Sequence, residues 1–308
     1  MIKNIIYLSL LIIIMVVMFF NSSEIINSVN FSFSLCINNI FPSLFPFMIL
    51  SNILIDYGFV DISSELLKPI ITRLFKCHEC ASFVLILSLI SGSPSNAKYI
   101  KELLNKNLLN TYDASKIILF THFINPLFII NTIGISFLKS KKIGLIILIS
   151  HYFGNLIVGI LFRNYHKSMK SNYINFEKAI NSLKVKRNGF ITILTSSIIS
   201  TINTLLLILG IITTCLIITS LIDINPFFSG ILEITQGLKY ICYTDLEILK
   251  KAMIITFLIS FGGISIHAQN FSILNSKKIK YTPYLIARII HGIISSISVY
   301  ILFKTVYI

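Results

Sequence analysis

The stretch "LILSLISGSPSNAKYIKELL", residues 85–104, decides how the chain is read. It runs apolar from Phe83 to Ile90, breaks at Ser91, Gly92, Ser93 and Pro94, and restarts with helical character while carrying Lys98. A break of this kind at membrane depth needs polar partners, because hydrocarbon offers none to freed backbone groups.

The rest of the sequence says that membrane depth is the right setting. Of the 308 residues 55% are hydrophobic and 12% charged, with a mean hydropathy of +0.85; soluble domains carry about a quarter charged residues. Long apolar runs without short alternating strands predict an all-α integral membrane protein, a polytopic helix bundle in a lipid bilayer rather than a barrel. The net charge of +14 comes from Lys and Arg lying between apolar runs. That pattern fits positive cytoplasmic loops and not a nucleic-acid surface.

About 20 residues are needed per span, which gives expected spans near 4–20, 36–58, 117–137, 143–162, 190–220, 252–274 and 283–306. The first is read as a retained anchor, since "MFFNSSEI" lacks a small-x-small cleavage site. Two pieces are too interrupted to cross cleanly: 81–105, broken by "SGSPS", and 225–248, broken around "EITQG". Both are expected to be re-entrant hairpins. Arg163 to Arg187 holds seven Lys or Arg against Glu177, so this segment should be cytoplasmic.

The expected division is an N-terminal anchor and external loop (1–30), a first half (31–163) and a second half (190–308), joined by a basic amphipathic cytoplasmic linker (164–189). Each half reads as hairpin, interrupted helix and closing span, an inverted repeat. Paired interrupted segments in matching places are a pointer to a transporter's binding site. Two further stripes of helical period, Leu66 to Phe75 and Tyr165 to Leu183, are expected to lie in the interface plane or dock a partner.

Candidate binding residues follow from polar groups at membrane depth. Ser93 can cap a half-helix whose first position is Pro94, and Ser91, Gly92, Ser95 and Asn96 cluster with it. Lys98 would add a full charge, making an anion seat. Asn125 and Asn131 flank Pro126 in the next span. In the second half Glu233, Thr235 and Gln236 mark a hairpin tip. Gly262 and Gly263 permit an unwound turn followed by Ser265, His267 and Gln269. A coupling ion, sodium or proton, is the expected partner of such a site.

Other chemistry is weakly signalled. Cys77 and Cys80 have C-x-x-C spacing, but no second Cys or His pair completes a zinc site, and the five cysteines suggest no disulfide framework. His122, His151 and His291 stand singly in apolar spans and read as hydrogen-bonded inside the bundle. No hydrolase, P-loop or dinucleotide motif is present; no enzyme activity, cofactor or metal is expected. A homo-oligomer is compatible with the sequence.

The ordered motifs "LFPFMILSNIL" (44–54), "SGSPSNAK" (91–98), "NPLFIINTIG" (125–134), "HYFGN" (151–155), "LEITQG" (232–237) and "SFGGISIHAQ" (260–269) resemble the sporulation integral membrane protein family YlbJ/SpoVV, with its nucleoside-recognition Gate domain. The resemblance implies a protein of the outer forespore membrane that moves dipicolinic acid. It also implies distant kinship with concentrative nucleoside transporters, whose hairpins and interrupted helices form the substrate site. A nucleoside or nucleobase is the alternative solute, and a non-transporting assembly or signalling protein of the spore envelope the alternative class.

Overall fold

A computed structural model describes residues 2–168, 180, 189–222 and 225–307. Among them no strand occurs, and five helices are long and apolar enough to cross a membrane. The molecule is an all-α polytopic membrane protein.

Helix α1 (Ile2–Phe20) leaves nearly all its described apolar side chains exposed, as a lipid-facing helix would. It is followed at once by α2 (Ser22–Asp56), 35 residues long. Residues 21–30, expected as an external loop, are therefore almost wholly helical, and the span expected at 36–58 starts about four turns earlier, at Ser22. A wide turn at Cys36–Ile40 explains the continuity: the Phe41 N–H bonds the Cys36 carbonyl five residues back, which lets the helix absorb Asn38, Asn39 and the prolines that follow.

Next come α3 (Phe59–Pro69), extended by a wide turn at Ile70–Leu74, and a helical hairpin of α4 (Ala81–Ser91) and α5 (Ser95–Asn105). Helix α6 (Thr111–Phe120) ends in an irregular, non-helical stretch over 121–125 and is continued by α7 (Phe128–Phe137) and α8 (Lys141–Leu161). The span expected at 117–137 is thus two half-helices. The chain unwinds before Pro126 and restarts there, where the missing proline N–H costs nothing. Helix α9 (Phe190–Leu221) follows, then a second hairpin of α10 (Pro226–Leu232) and α11 (Ile234–Cys242). A second interrupted pair, α12 (Ile248–Phe261) and α13 (Gly263–Leu274), leads to α14 (Tyr281–Tyr307).

The order hairpin, interrupted helix, long helix therefore occurs twice. Helix α14 packs along both α8 and α12, and α7 meets α8 closely because Gly134 and Gly144 face each other; a Cβ on Gly134 would come 2.8 Å from the Gly144 Cα. One apolar core lies under the first hairpin, with Phe75, Phe83, Tyr99, Phe120 and Phe123. A second gathers Ile129, Ile133, Leu238, Ile255 and Leu258, and a third seals α2 against α9 through Leu44, Met48, Leu205 and Ile208.

The first amphipathic stripe divides. Leu66, Ile70 and Leu74 are exposed, whereas Ile71 and Phe75 are buried, Phe75 stacking on Phe120 at 4.6 Å. Half of that stripe is core. Most of the second stripe and of the 164–189 linker lies outside the described residues.

Candidate functional site

The tips of the two hairpins meet the breaks of the two interrupted helices. Gly92, at the first tip, has φ +83°, and a Cβ there would stand 2.5 Å from the Asn125 backbone nitrogen. The tip backbone is joined to the break directly, the Ser93 N–H donating to the Phe123 carbonyl at 2.6 Å. At the second tip Gly263, φ +65°, lies against the Gly230 and Leu232 carbonyls. The two breaks also touch each other, since a Cβ on Gly262 would come within 2.6 Å of the His122 ring.

Half-helix ends at these breaks leave carbonyls without partners, and in a dry interior each must be met. Side chains meet them. Arg288 of α14 donates to the Leu119 carbonyl at the end of α6, placing a cation at that helix's negative end. At the end of α12, His122 Nε2 faces the Ile259 carbonyl at 3.4 Å and His267 Nε2 the Phe261 carbonyl at 2.7 Å. Asn125 Nδ2 reaches the Ser91 carbonyl at the end of α4 at 3.5 Å. Two of these four caps, Arg288 on Leu119 and His122 on Ile259, bridge the two halves.

Around this crossing lies a cavity of about 320 Å³. Both tips line it, through Ser93 and Pro94 and through Glu233, Ile234 and Thr235; so do Asn125 and Asn131 of the first interrupted helix and Gln269 of the second. Helix α2 adds Asn38, Asn39 and Ser43, and α9 adds Ile208 and Ile212. Gln269 is 2% exposed and its Nε2 has no protein acceptor, leaving a donor at the wall. Glu233 is buried and caps α11, its Oε2 accepting from the Thr235 hydroxyl and, at 3.1 Å, from the Gln236 N–H.

The residues singled out from sequence separate into two groups. Ser93, Asn125, Asn131, Glu233, Thr235 and Gln269 line the cavity together. Gly92, Gly262 and Gly263 shape the breaks without lining it. Ser91 accepts from the Tyr99 hydroxyl at 2.9 Å and ties the arms of the first hairpin. Ser95 and Ser265 are buried. Gln236 is held by the Thr219 hydroxyl at 2.6 Å and donates to the Tyr240 hydroxyl. His267 caps α12 as described and faces the Tyr281 hydroxyl at 3.0 Å.

Two expectations are corrected. Ser93 does not cap the half-helix: α5 starts at Ser95, Pro94 takes the cap position with no side-chain cap bond, and Ser93 Oγ instead contacts Asn96 Oδ1 at 3.1 Å and His122 Nδ1 at 3.0 Å. Lys98 does not face the tip. Its Nζ donates to the Thr201 hydroxyl of α9 at 3.0 Å, outside the cavity wall. Asn96 also turns inward, its Nδ2 reaching Thr121 Oγ1 at 3.5 Å.

Sequence reasoning missed Asn38, Asn39 and Ser43, whose signal is an Asn-Asn pair inside an otherwise apolar run. It also missed Arg288, a fully buried cation in "LIARIIHG". Arg288 contacts His291 Nδ1 at 2.9 Å and Asn155 Oδ1 at 3.3 Å, and its guanidinium lies 5.4 Å from the Tyr284 ring centre. His151 and His291 are buried beside it, their rings 4.8 Å apart. Cys77 and Cys80 sit in the loop before α4, where burial pushes both thiols up to about 12; they hold no ready thiolate.

Compared with known proteins, the chain is 30% identical over 305 aligned residues to the sporulation integral membrane protein YlbJ of Bacillus subtilis (strain 168), covering 87% of this chain and 75% of that one. This chain belongs to the YlbJ family of sporulation integral membrane proteins. Family membership and the five long apolar helices agree on a multi-pass membrane protein. No family profile matches the chain, and no solved structure matches it.

Proposed function

We propose that the protein is a membrane transporter for a small organic solute, most simply dipicolinate carried across the outer forespore membrane of a spore-forming bacterium, and that the cavity at the crossing is its solute site. The observation that carries this reading is the convergence of both hairpin tips and both interrupted helices on one space of about 320 Å³ whose largely apolar wall carries a few polar side chains. That volume lies at the small end of the range for small-molecule sites, about 300–1,000 Å³. Freed backbone and paired half-helices around a central site are the usual construction of secondary transporters. In this reading the two hairpins are re-entrant, the two halves are inverted copies, and the hairpin-bearing elements move against α2 and α9.

A second reading, a nucleoside or nucleobase as solute, is favoured by one specific feature. Among the described residues no Lys or Arg lines the cavity, whereas Glu233 does, with Asn38, Asn39, Asn125, Asn131 and Gln269 offering amides. Neutral, hydroxylated solutes suit such a wall. Uptake of radiolabelled dipicolinate and uridine into liposomes containing only the purified protein tests both. Uptake of either solute above empty liposomes supports transport and chooses between them. Uptake of neither would favour a spore-envelope assembly or signalling role.

A further inference from the structure

A dianion entering a cavity that contains Glu233 and, among the described residues, no lining Lys or Arg needs a source of positive charge. The nearest candidate by hydrogen-bond connection is behind Ser93. His122 is fully buried and touches the lining through Ser93 Oγ at 3.0 Å. Its partners set which proton arrangement would satisfy every contact at once. Thr121 Oγ1 donates its one proton to the Ile117 carbonyl at 2.9 Å, so it accepts from Asn96 Nδ2, which fixes Asn96 with Oδ1 toward Ser93. Asn96 Oδ1 then needs the Ser93 proton. Ser93 Oγ is left as an acceptor for His122 Nδ1, and the Ile259 carbonyl is an acceptor for His122 Nε2. All three contacts are satisfied together only when both ring nitrogens carry protons.

The neighbouring histidines differ. His151 Nε2 accepts from the Ile124 N–H at 3.0 Å, so Nδ1–H faces the Ser260 hydroxyl at 2.8 Å. His291 Nδ1 accepts from Arg288, so Nε2–H donates to the His151 carbonyl at 2.8 Å. Each has one donor and one acceptor as partners, the arrangement of a neutral ring.

We propose that His122 is the proton-coupling site of the carrier, binding a proton when an anion occupies the cavity, so that anion and proton move together. This inference rests on the transport reading above. The step balances simply: in the anion-free state Ser93 donates to a neutral His122 Nδ1 and Asn96 Oδ1 is unmet. A hydronium in the cavity gives its proton to Ser93 Oγ as the original Ser93 proton passes to Nδ1, leaving water, an imidazolium and a hydroxyl that now donates to Asn96. One charged group facing His122, Arg288 of α14, opposes this charge when the cavity is empty. The other titratable groups around it are the rings of His151 of α8 (6.4 Å), His291 of α14 (6.3 Å) and His267 of α13. The solute's carboxylates supply the missing negative charge, which makes proton and anion binding mutually favourable.

Calorimetric titration of the full-length protein in detergent with dipicolinate, repeated in buffers of different ionisation enthalpy, counts protons taken up on binding. Uptake of about one proton per solute is expected for the wild type, and near none for His122→Gln. Binding by the wild type with no proton uptake overturns the inference while leaving the transport reading intact, as does full uptake in a folded His122→Gln. Should His122→Gln fail to fold, Ser93→Ala, which keeps the imidazole but removes the hydroxyl relay, is expected to lose uptake; persistent uptake there overturns the inference. Absence of dipicolinate binding by the wild type overturns the anion reading itself, and this inference with it.

Discussion

The two hairpin-and-break units solve one problem in unequal ways. In the first, the helix opens over five residues, 121–125, and the tip at Gly92 is wedged against the Asn125 backbone. In the second, the opening is Gly262 alone, against the His122 ring, and where the break meets the tip the nearest neighbours of a Cβ on Gly263 stand at 3.4 Å. The first tip presents Ser93 and Pro94 to the cavity, the second a carboxylate. The first unit is therefore a tight joint whose hydroxyl connects inward to His122, and the second a looser joint carrying charge.

The largest expected effect probes the tight joint. Gly92→Ala forces a side chain into backbone at a left-handed φ, and should cost about 3 kcal/mol or more, seen as a large fall in thermal stability in detergent. Tolerance of this alanine would mean that the first tip is not wedged. Arg288→Met comes next, because it strips donors from the Leu119 carbonyl, Asn155 and His291 while also removing a buried charge. The two effects partly offset, leaving a loss of about 2 kcal/mol by the same measurement. Gly263→Ala, at φ +65° but without a clash, should cost about 1 kcal/mol, and a loss equal to that of Gly92→Ala would erase the contrast between the joints.

The smallest effect concerns Lys98. Since its ammonium sits on Thr201 rather than in the cavity wall, Lys98→Gln should change solute affinity by less than about twofold. A tenfold loss would restore Lys98 as part of an anion seat.

Much of the architecture was legible because local chemistry announces it. The runs "SGSPS" and "SFGGIS" combine flexible and helix-breaking residues with hydroxyls inside apolar segments, and both mark chain breaks in the structure. Six of the polar residues chosen on that basis meet at one cavity. What stayed hidden depended on rotation and on distant contacts. Ser93 and Lys98 are close in sequence, yet Ser93 sits in the tip turn on the cavity wall while Lys98, on α5, points to α9. The Asn-Asn pair of α2 falls unremarked inside the span expected at 36–58, and a wide turn keeps the helix continuous through it. Arg288 is separated from the Leu119 carbonyl that it caps by 169 residues, and no local pattern predicts that pairing.

The central claim is that solute occupies the space where both tips and both breaks converge. Its most direct test is solute protection in a protein whose five cysteines have been replaced by alanine or serine. Asn131→Cys lies on the cavity wall and is exposed, while Tyr243→Cys is exposed away from it. A saturating transported solute should slow modification of Asn131→Cys by a small thiol reagent about tenfold and leave Tyr243→Cys unchanged. Equal rates at Asn131→Cys with and without solute, in liposomes where uptake is measured, would contradict the claim.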